Sequence, residues 1–481
     1  MQNGSDGSAA RESTAAARES ARALWSREMR DTVALALPMA ATQLGQVAMM
    51  TTDLALIGRL GGQAMAAASL AHTVLFTCFV LGMGLVAAVA PLAAQAFGAR
   101  EPRMIRRALR VGLWAAVIAG VPLTAVQFQG ASILVALGQD AATAELAGRY
   151  LHGLAWSLVP SWIFVAMRNF MSALNRPEPA LWITLVAIPL NGLLAYGLIH
   201  GSLGLPQLGI MGAGLATSIV NAAMCVAIFT VAETMQPFRK YHVLGGLLRP
   251  DWVLLRRLVL LGLPISGAFG LEYGLFAVAG LMMGWIGTTA LAAHQIAFQV
   301  ASILFMVPFG ISMAATVRVG QALGRRDPAA VRRAGFAAIA LAFAFEVAMT
   351  ILIAIFRHRV PALFLDAGDA ANAAAITMAA TLLLVGATFF ILDGIQTVAA
   401  GSLRGLNDTR VPLGMAALSF WVIGLPVAYG LGFGASLGAV GIWAGLTIGL
   451  ATFAVLLVVR FERLTRATKQ AGTTLPLDHS I

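Results

Sequence analysis

Residues 95–102 read QAFGAREP, and residues 321–328 read QALGRRDP, nearly the same eight residues 226 positions later. Sliding the chain along itself by that offset extends the match without a gap. LALPMA around Pro38 falls on LGLPIS around Pro264, and GRLGGQAMAA from Gly58 falls on GWIGTTALAA from Gly284. Phe79 meets Phe305 and Gly84 meets Gly310. After an insertion the match resumes, with SALNRPEP at 172–179 against SLRGLNDTRVP at 402–412, and AYGL at 195–198 and again at 428–431. The chain therefore consists of two homologous halves. Each copy of the eight-residue motif reads as a turn, with Gly98 and Gly324 expected to end a helix in the left-handed region.

The material of each half is apolar. The 481 residues are 59% hydrophobic and 11% charged, against about 25% charged in a soluble domain. No Asp, Glu, Lys or Arg occurs from Pro179 to Ala232 or from Val411 to Val459. Each stretch is about two spans long at roughly 20 residues per span, and backbone groups in lipid must be satisfied within helices. The apolar segments are 33–57, 70–96, 111–137, 150–171, 179–199, 209–232, 258–284, 290–317, 334–356, 374–402, 411–431 and 438–459. Six per half is an even number, so both halves enter the membrane in the same sense, as parallel repeats about an axis along the membrane normal. The expected fold is an all-α polytopic membrane protein of twelve transmembrane helices in two six-helix lobes. A tail at 1–31 reads as disordered or interfacial, and the first apolar run is too long for a cleaved signal. The N-lobe is expected at 32–233, a connection at 234–257, the C-lobe at 258–460 and a second tail at 461–481. The connection, with FRKYHVLGGLLRPDWVLLRR, reads as an amphipathic helix on the inner leaflet.

Basic residues set the orientation. Twenty-six of the 32 Lys and Arg fall on the N-terminal side, among them Arg404 and Arg410 in the tenth connection, and four fall opposite: Arg59, Arg149, Arg357 and Arg359. Arg168 and Arg318 lie within spans, close enough to the inner interface to snorkel. Both termini are thus expected in the cytoplasm and the chain in a bacterial inner membrane. The same bias accounts for the net charge of +11 and leaves no soluble basic face for nucleic acid. Cys78 and Cys225 are far apart in apolar runs and read as packing residues.

Ionisable groups inside a bilayer are expensive and mark function by default. Four acids qualify: Asp53 in the first span, Glu272 in the seventh, Glu346 in the ninth and Asp393 in the tenth. No base appears well placed to pair with them. Glu346, amid LAFAFEVAMT, has no polar neighbours along the chain and reads as structural. Neutral polar residues lie near the others: Gln43 and Gln46, Asn191, and Gln295 and Gln299, with His294 read as a packing or cavity histidine. Tyr273, Gln396 and Thr397 flank the second-half acids. No nucleophile triad, metal cluster or phosphate loop is present, so an enzyme is not expected, no cofactor is implied, and energy should come from an ion gradient rather than ATP.

The order of LP, TTDLALIGRLGG, QAFGA and then LP…LEYG…AAHQIA resembles the multidrug and toxic compound extrusion (MATE) family, most closely its bacterial NorM-type branch. The resemblance covers about 33–460. It implies a cation-driven antiporter exporting organic cations and amphiphilic drugs, with sodium or protons as the coupling ion and no partner beyond the lipid bilayer and its cargo; a monomer is expected. The family's acids fall on Asp53, Glu272 and Asp393. The implied coupling site is Glu272, Asp393 and Tyr273, with sodium at Glu272 and Asp393, and Asp53, Gln43, Gln46, Asn191, Gln295 and Gln299 line the cavity. Some members add a second acid one turn after the fifth-span Asn, where this chain has Ala195, so a complete first-half cation site is not expected. The alternative is a lipid-linked precursor flippase of the same superfamily, which would need a basic cavity.

Overall fold

The structure, a computed structural model, describes the backbone of residues 5–202, 204–247, 251–365 and 372–471, and side chains within 22–467. Twelve helices long and apolar enough to span a membrane are present among these residues. We label them α1 (Arg22–Gly58), α2 (Gly62–Gly98), α3 (Pro102–Phe128), α4 (Ala141–Ala173), α5 (Glu178–His200), α6 (Ile210–Thr234), α7 (Trp252–Ile286), α8 (Thr288–Gly324), α9 (Pro328–Phe356), α10 (Ala373–Gly405), α11 (Arg410–Gly434) and α12 (Gly438–Ala467). The described residues contain no strand.

The internal repeat governs how the halves meet. α1 packs against α8 and α2 against α7, contacts that exchange when the halves are exchanged, and the inner part of α2 packs on α8. These crossings are close because small residues sit at them. A Cβ on Gly84 would overlap the backbone of Gly262 and Ser266 in α7, and one on Gly310, its repeat equivalent, would overlap Ala40 in α1. The two lobes are thus related by a pseudo-two-fold axis that runs between α2 and α8.

The twin motifs lie on this axis. Gln95 Nε2 donates to the Gly405 carbonyl at 2.9 Å, and its Oε1 accepts from Asn407 Nδ2 at 2.9 Å. Reciprocally, Gln321 Nε2 donates to the Ala173 carbonyl and to Asn175 Oδ1, both at 3.0 Å. The structure corrects the expected role of the glycines. Gly98 and Gly324 stay helical, and the left-handed residues are Arg100 (φ 59°) and Arg326 (φ 57°). Glycine is required for another reason: a Cβ on Gly98 would overlap the Gln321 carbonyl, and one on Gly324 the Gln95 carbonyl.

Three further expectations change. The N-terminal segment is not loose; one helix runs from Ser5 to Gly58, in keeping with its Ala, Arg and Glu content. Its Glu28 and Asp31 hold Arg318 of α8 at 2.7 and 3.4 Å, so Arg318 is an inter-lobe ion pair rather than a snorkelling cation. Helix α12 likewise continues past 461 to Ala471. The connection after α6 is a single 3-10 turn, Phe238–Tyr241, followed by turns rather than an amphipathic helix. Phe238 is buried against Phe170, and α3 pins the remainder: Trp114 Nε1 donates to the Leu247 carbonyl at 2.8 Å, and Arg107 pairs with Asp251 at 2.6 Å. Arg11, Arg18 and Lys469 lie outside the described side chains, and Arg249 outside the described residues.

Candidate functional site

The second-half acids converge. Glu272 is carried by α7 two turns beyond Pro264, while Asp393, Gln396 and Thr397 occupy one face of α10 at i, i+3 and i+4. Gln396 Nε2 lies 3.0 Å from each of three oxygens: Glu272 Oε1, Asp393 Oδ1 and Thr397 Oγ1. A carboxamide nitrogen has two protons, so the three acceptors outnumber the hydrogens that Gln396 supplies. Glu346, which the sequence left isolated, belongs here as well. It is 2% exposed, and its Cγ lies where a Cβ on Gly394, next to Asp393, would be only 2.6 Å away. Its Oε2 has no hydrogen-bond partner among the described residues. The C-lobe thus holds Glu272 of α7 and Asp393 of α10 on one amide, with Glu346 of α9 packed against the turn of α10 that carries Asp393.

The first-half acid is elsewhere. Asp53 of α1 is 4% exposed and accepts from Asn191 Nδ2 of α5 and from Thr217 Oγ1 of α6, the latter at 2.8 Å. Each carboxylate oxygen therefore has a donor. Ala195, where a second acid would complete a cation site of the kind the resemblance describes, is fully buried. Thr217 was not singled out in the sequence, where it stands beside Ser218 in an apolar span and nothing along the chain distinguishes the two hydroxyls.

Two pockets share Arg404, one within the C-lobe and one between the lobes. One is lined by Glu272, Gln396 and Thr397 together with Phe269, Phe305 and Arg404. The other is lined by Gln43 and Gln46 of α1, Phe79 of α2, Arg168 of α4, Phe309 of α8 and Arg404. Gln46 is the repeat equivalent of Glu272, so the first half places an amide where the second places an acid. A third cleft, within the C-lobe, is lined by Tyr273, Phe276, His294, Gln295 and Phe298. Tyr273 thus stands apart from the carboxyl cluster, with its ring 4.9 Å from Phe76 of the N-lobe. His294 is 2% exposed, stacked on Phe298 and edge-on to Trp443. Gln299 is exposed on the same face of α8 as Gln295 and lines none of these three pockets. The predicted cavity residues therefore fall in three places: Asp53 with Asn191, Gln43 with Gln46, and Gln295 beside Tyr273.

The arginines are the largest departure from the sequence reading. Arg168 does not snorkel; it is 4% exposed and its Nη1 donates to Gln43 Oε1 at 2.6 Å. Arg404 does not sit in a connection; it belongs to α10, donates through Nη2 to Ser312 Oγ at 2.9 Å and lies 5.6 Å over the Phe269 ring. The interior is thus not purely acidic.

This arrangement has relatives. The MatE family model matches residues 38–197 and again 264–430, two blocks that begin at Pro38 and Pro264, the same offset as the internal repeat. Over 448 residues the chain is 64% identical to "Probable multidrug resistance protein NorM" of Rhodopseudomonas palustris, covering 93% of this chain and 94% of the relative. It is 57% identical to the protein of the same name from Bradyrhizobium diazoefficiens, over 91% and 94% of the two. Among solved structures it is similar to the eukaryotic MATE transporter AtDTX14, with a TM-score of 0.81 at 20% identity, covering 93% and 100% of the chains. It is equally similar to the bent form of the Vibrio cholerae MATE transporter VcmN, with a TM-score of 0.81 at 18% identity, over 93% and 99%. With two thirds of its length matched by the family model and these close relatives, the chain belongs to the MATE family, in its NorM-type branch.

Proposed function

We propose that this multi-pass protein is a secondary multidrug exporter of a bacterial inner membrane, with both termini cytoplasmic, exchanging organic cations and amphiphilic drugs for sodium or protons. The observation that carries this reading is the junction of the C-lobe carboxyl cluster with a C-lobe pocket that shares Arg404 with the pocket between the lobes: Glu272 and Gln396 belong to both cluster and pocket. A group that binds the coupling ion and also lines the cargo pocket makes the two compete. A ligand shifts the balance between inward-open and outward-open states only through its different affinity for them. Entry of the ion at Glu272 and Asp393 would then favour release of a cationic drug from the same wall.

Sodium is the coupling ion we favour. It requires several oxygen ligands, and Glu272, Asp393 and Thr397 offer them within reach of one amide. Glu346 adds a third carboxyl from α9. The relatives' name, multidrug resistance protein, supports drugs as cargo. The flippase alternative has no comparable support. The decisive experiment uses proteoliposomes loaded with ethidium. A sodium gradient is imposed with pH clamped, then a pH gradient without sodium. Ethidium movement driven by sodium alone is the expected result. Movement with neither gradient, or with ATP only, would overturn the reading.

A further inference from the structure

The two lobes treat one repeated arginine differently. At the offset of 226, Arg106 and Arg107 of α3 fall on Arg332 and Arg333 of α9. In the C-lobe, Arg332 lies 3.4 Å from Glu462 of α12 and 5.3 Å over the Phe336 ring. Its charge is balanced from within the lobe. In the N-lobe neither partner is in place. Phe336 corresponds to Arg110, so a second cation replaces the aromatic ring. Glu462 corresponds to Glu233 of α6, 229 positions earlier; the same offset relates Gly212, which packs on Leu198, to Gly441, which packs on Leu431. Glu233 instead accepts from the Leu244 backbone N–H at 3.0 Å. Arg106 is left with no ion pair or hydrogen bond among the described residues, and its Nε is shut off from solvent without a partner.

The surroundings add charge of the same sign. Arg103, Arg106, Arg107 and Arg110 share one face of α3 at i, i+3, i+4 and i+7, where like charges four apart repel. The C-lobe has Ala329 in place of Arg103. Of the four, only Arg107 has a carboxylate, Asp251. Arg110 reaches the Gly245 carbonyl at 3.3 Å, and neither Arg103 nor Glu101, just ahead of α3, has an ion pair. Across the Arg107–Asp251 bridge α7 begins with Trp252 and Val253, both exposed, and exposed Arg256 and Arg257 follow one turn on. We propose that this seam between α3, the connection and the start of α7 binds an anionic phospholipid: Arg106 takes a phosphodiester oxygen, with Arg103 and Arg110 one turn to either side. A guanidinium fork matches a phosphate in geometry as well as charge. A lipid fits better than a soluble anion because the seam lies at the ends of membrane helices, on their basic face, with apolar Trp252 and Val253 exposed beside it. Tryptophan and arginine meet headgroups at that level, and basic pockets between membrane helices hold acidic ones. The site is independent of what the transporter carries.

The test is native mass spectrometry of the full-length protein in detergent, titrated with dioleoylphosphatidylglycerol, with dioleoylphosphatidylcholine and with inorganic phosphate. Wild-type protein should retain a phosphatidylglycerol more tightly than a phosphatidylcholine, and millimolar phosphate should not displace it. Arg106→Gln should weaken phosphatidylglycerol binding about tenfold, the size expected of one charge-assisted hydrogen bond. Arg333→Gln removes the same charge from the equivalent face of the C-lobe, from a residue without an ion pair, and should leave that affinity unchanged. Equal wild-type affinity for the two lipids overturns the proposal without any variant, so a variant that fails to fold does not shield it. Unchanged binding in Arg106→Gln overturns it as well. Equal losses in Arg106→Gln and Arg333→Gln overturn it by assigning the preference to net charge alone. Displacement of the lipid by millimolar phosphate would overturn it in favour of a soluble anion.

Discussion

The two lobes share one ancestry and one packing plan, yet they bury their acids in opposite ways. In the N-lobe a single carboxyl, Asp53, has each oxygen matched to a donor, Asn191 on one side and Thr217 on the other. In the C-lobe Glu272 and Asp393 share one Gln396 amide, and Glu346, packed against Gly394, has an Oε2 with no hydrogen-bond partner among the described residues. The repeat sharpens the contrast, because Glu272 occupies the position that Gln46 holds in the first half, and Ala279 the position of Asp53. Buried polar groups are normally satisfied, and a shortfall of donors calls for a proton or a cation. The N-lobe acid looks like a finished hydrogen-bond junction; the C-lobe acids look like a site awaiting an ion. Under the proposed function, the ionic chemistry lies in one half while the packing is common to both.

The largest effect that can break this comparison comes from neutralising the C-lobe acids. Glu272→Gln and Asp393→Asn are each expected to abolish gradient-driven ethidium efflux in proteoliposomes while the protein remains monodisperse and inserted. Asp53→Asn is expected to leave the sodium concentration for half-maximal efflux unchanged, whatever it does to the rate. A shift of that concentration with Asp53→Asn, equal to the one produced in the C-lobe, would erase the distinction between the lobes.

A smaller effect is expected at Gly394. Its Cβ position is occupied by Glu346 Cγ, so Gly394→Ala must push the Glu346 side chain away without changing any charge. If the third carboxyl helps hold the ion, sodium affinity should fall several-fold, and Glu346→Gln should match it; equal sodium dependence in wild type and both variants would confine the site to two acids. On the N-lobe side, Thr217→Ala removes one of two donors from a buried carboxylate and should cost about 1–3 kcal/mol of stability, read as a lower melting temperature in detergent. Thr217→Ser, which keeps the hydroxyl, should recover most of it.

How much of this was legible in the sequence differs between the architecture and the site. The repeat and the spans follow from periodic apolarity and the placement of charge, which act residue by residue along the chain. Asp53, Glu272 and Asp393 could be picked because an ionisable group in a span is costly wherever it points. Direction is what one dimension hides. Tyr273 follows Glu272 directly, but consecutive helical residues do not share a face, and it lines a different cleft. Arg404 precedes a turn and was counted with the loop, whereas α10 continues through it to Gly405. Arg168 lies near enough to the interface to snorkel, and only the approach of α1 reveals Gln43 as its partner. Glu346 has apolar neighbours in sequence; its companions Asp393 and Gly394 come from α10.

The smallest expected effect probes what the lobes still share. Gln95 and Gln321, at the heart of the twin motifs, each reach across the pseudo-two-fold axis to the equivalent segment of the other lobe, 405–407 or 173–175. These crossed bonds lie on the basic face, beside the Arg318 pairs to Glu28 and Asp31, so an opening on that face must break them. A net hydrogen bond is worth about 1 kcal/mol, and each glutamine makes two. Gln95→Ala and Gln321→Ala should therefore each shift the population of the state open on the basic face by roughly one order of magnitude. Because each glutamine makes two bonds to the corresponding segment of the other lobe, although Gln95 accepts from Asn407 where Gln321 donates to Asn175, the two shifts should be similar in size, in contrast to the unequal acids, and the double variant should approach the sum of the two in free energy. Distances between spin labels on α3 and α9, measured with and without sodium, provide the readout. Unequal shifts would mean that the division of labour between the lobes extends from the ion site to the latch. No shift in either variant would mean that the close backbone approach at Gly98 and Gly324 holds the face shut by packing alone.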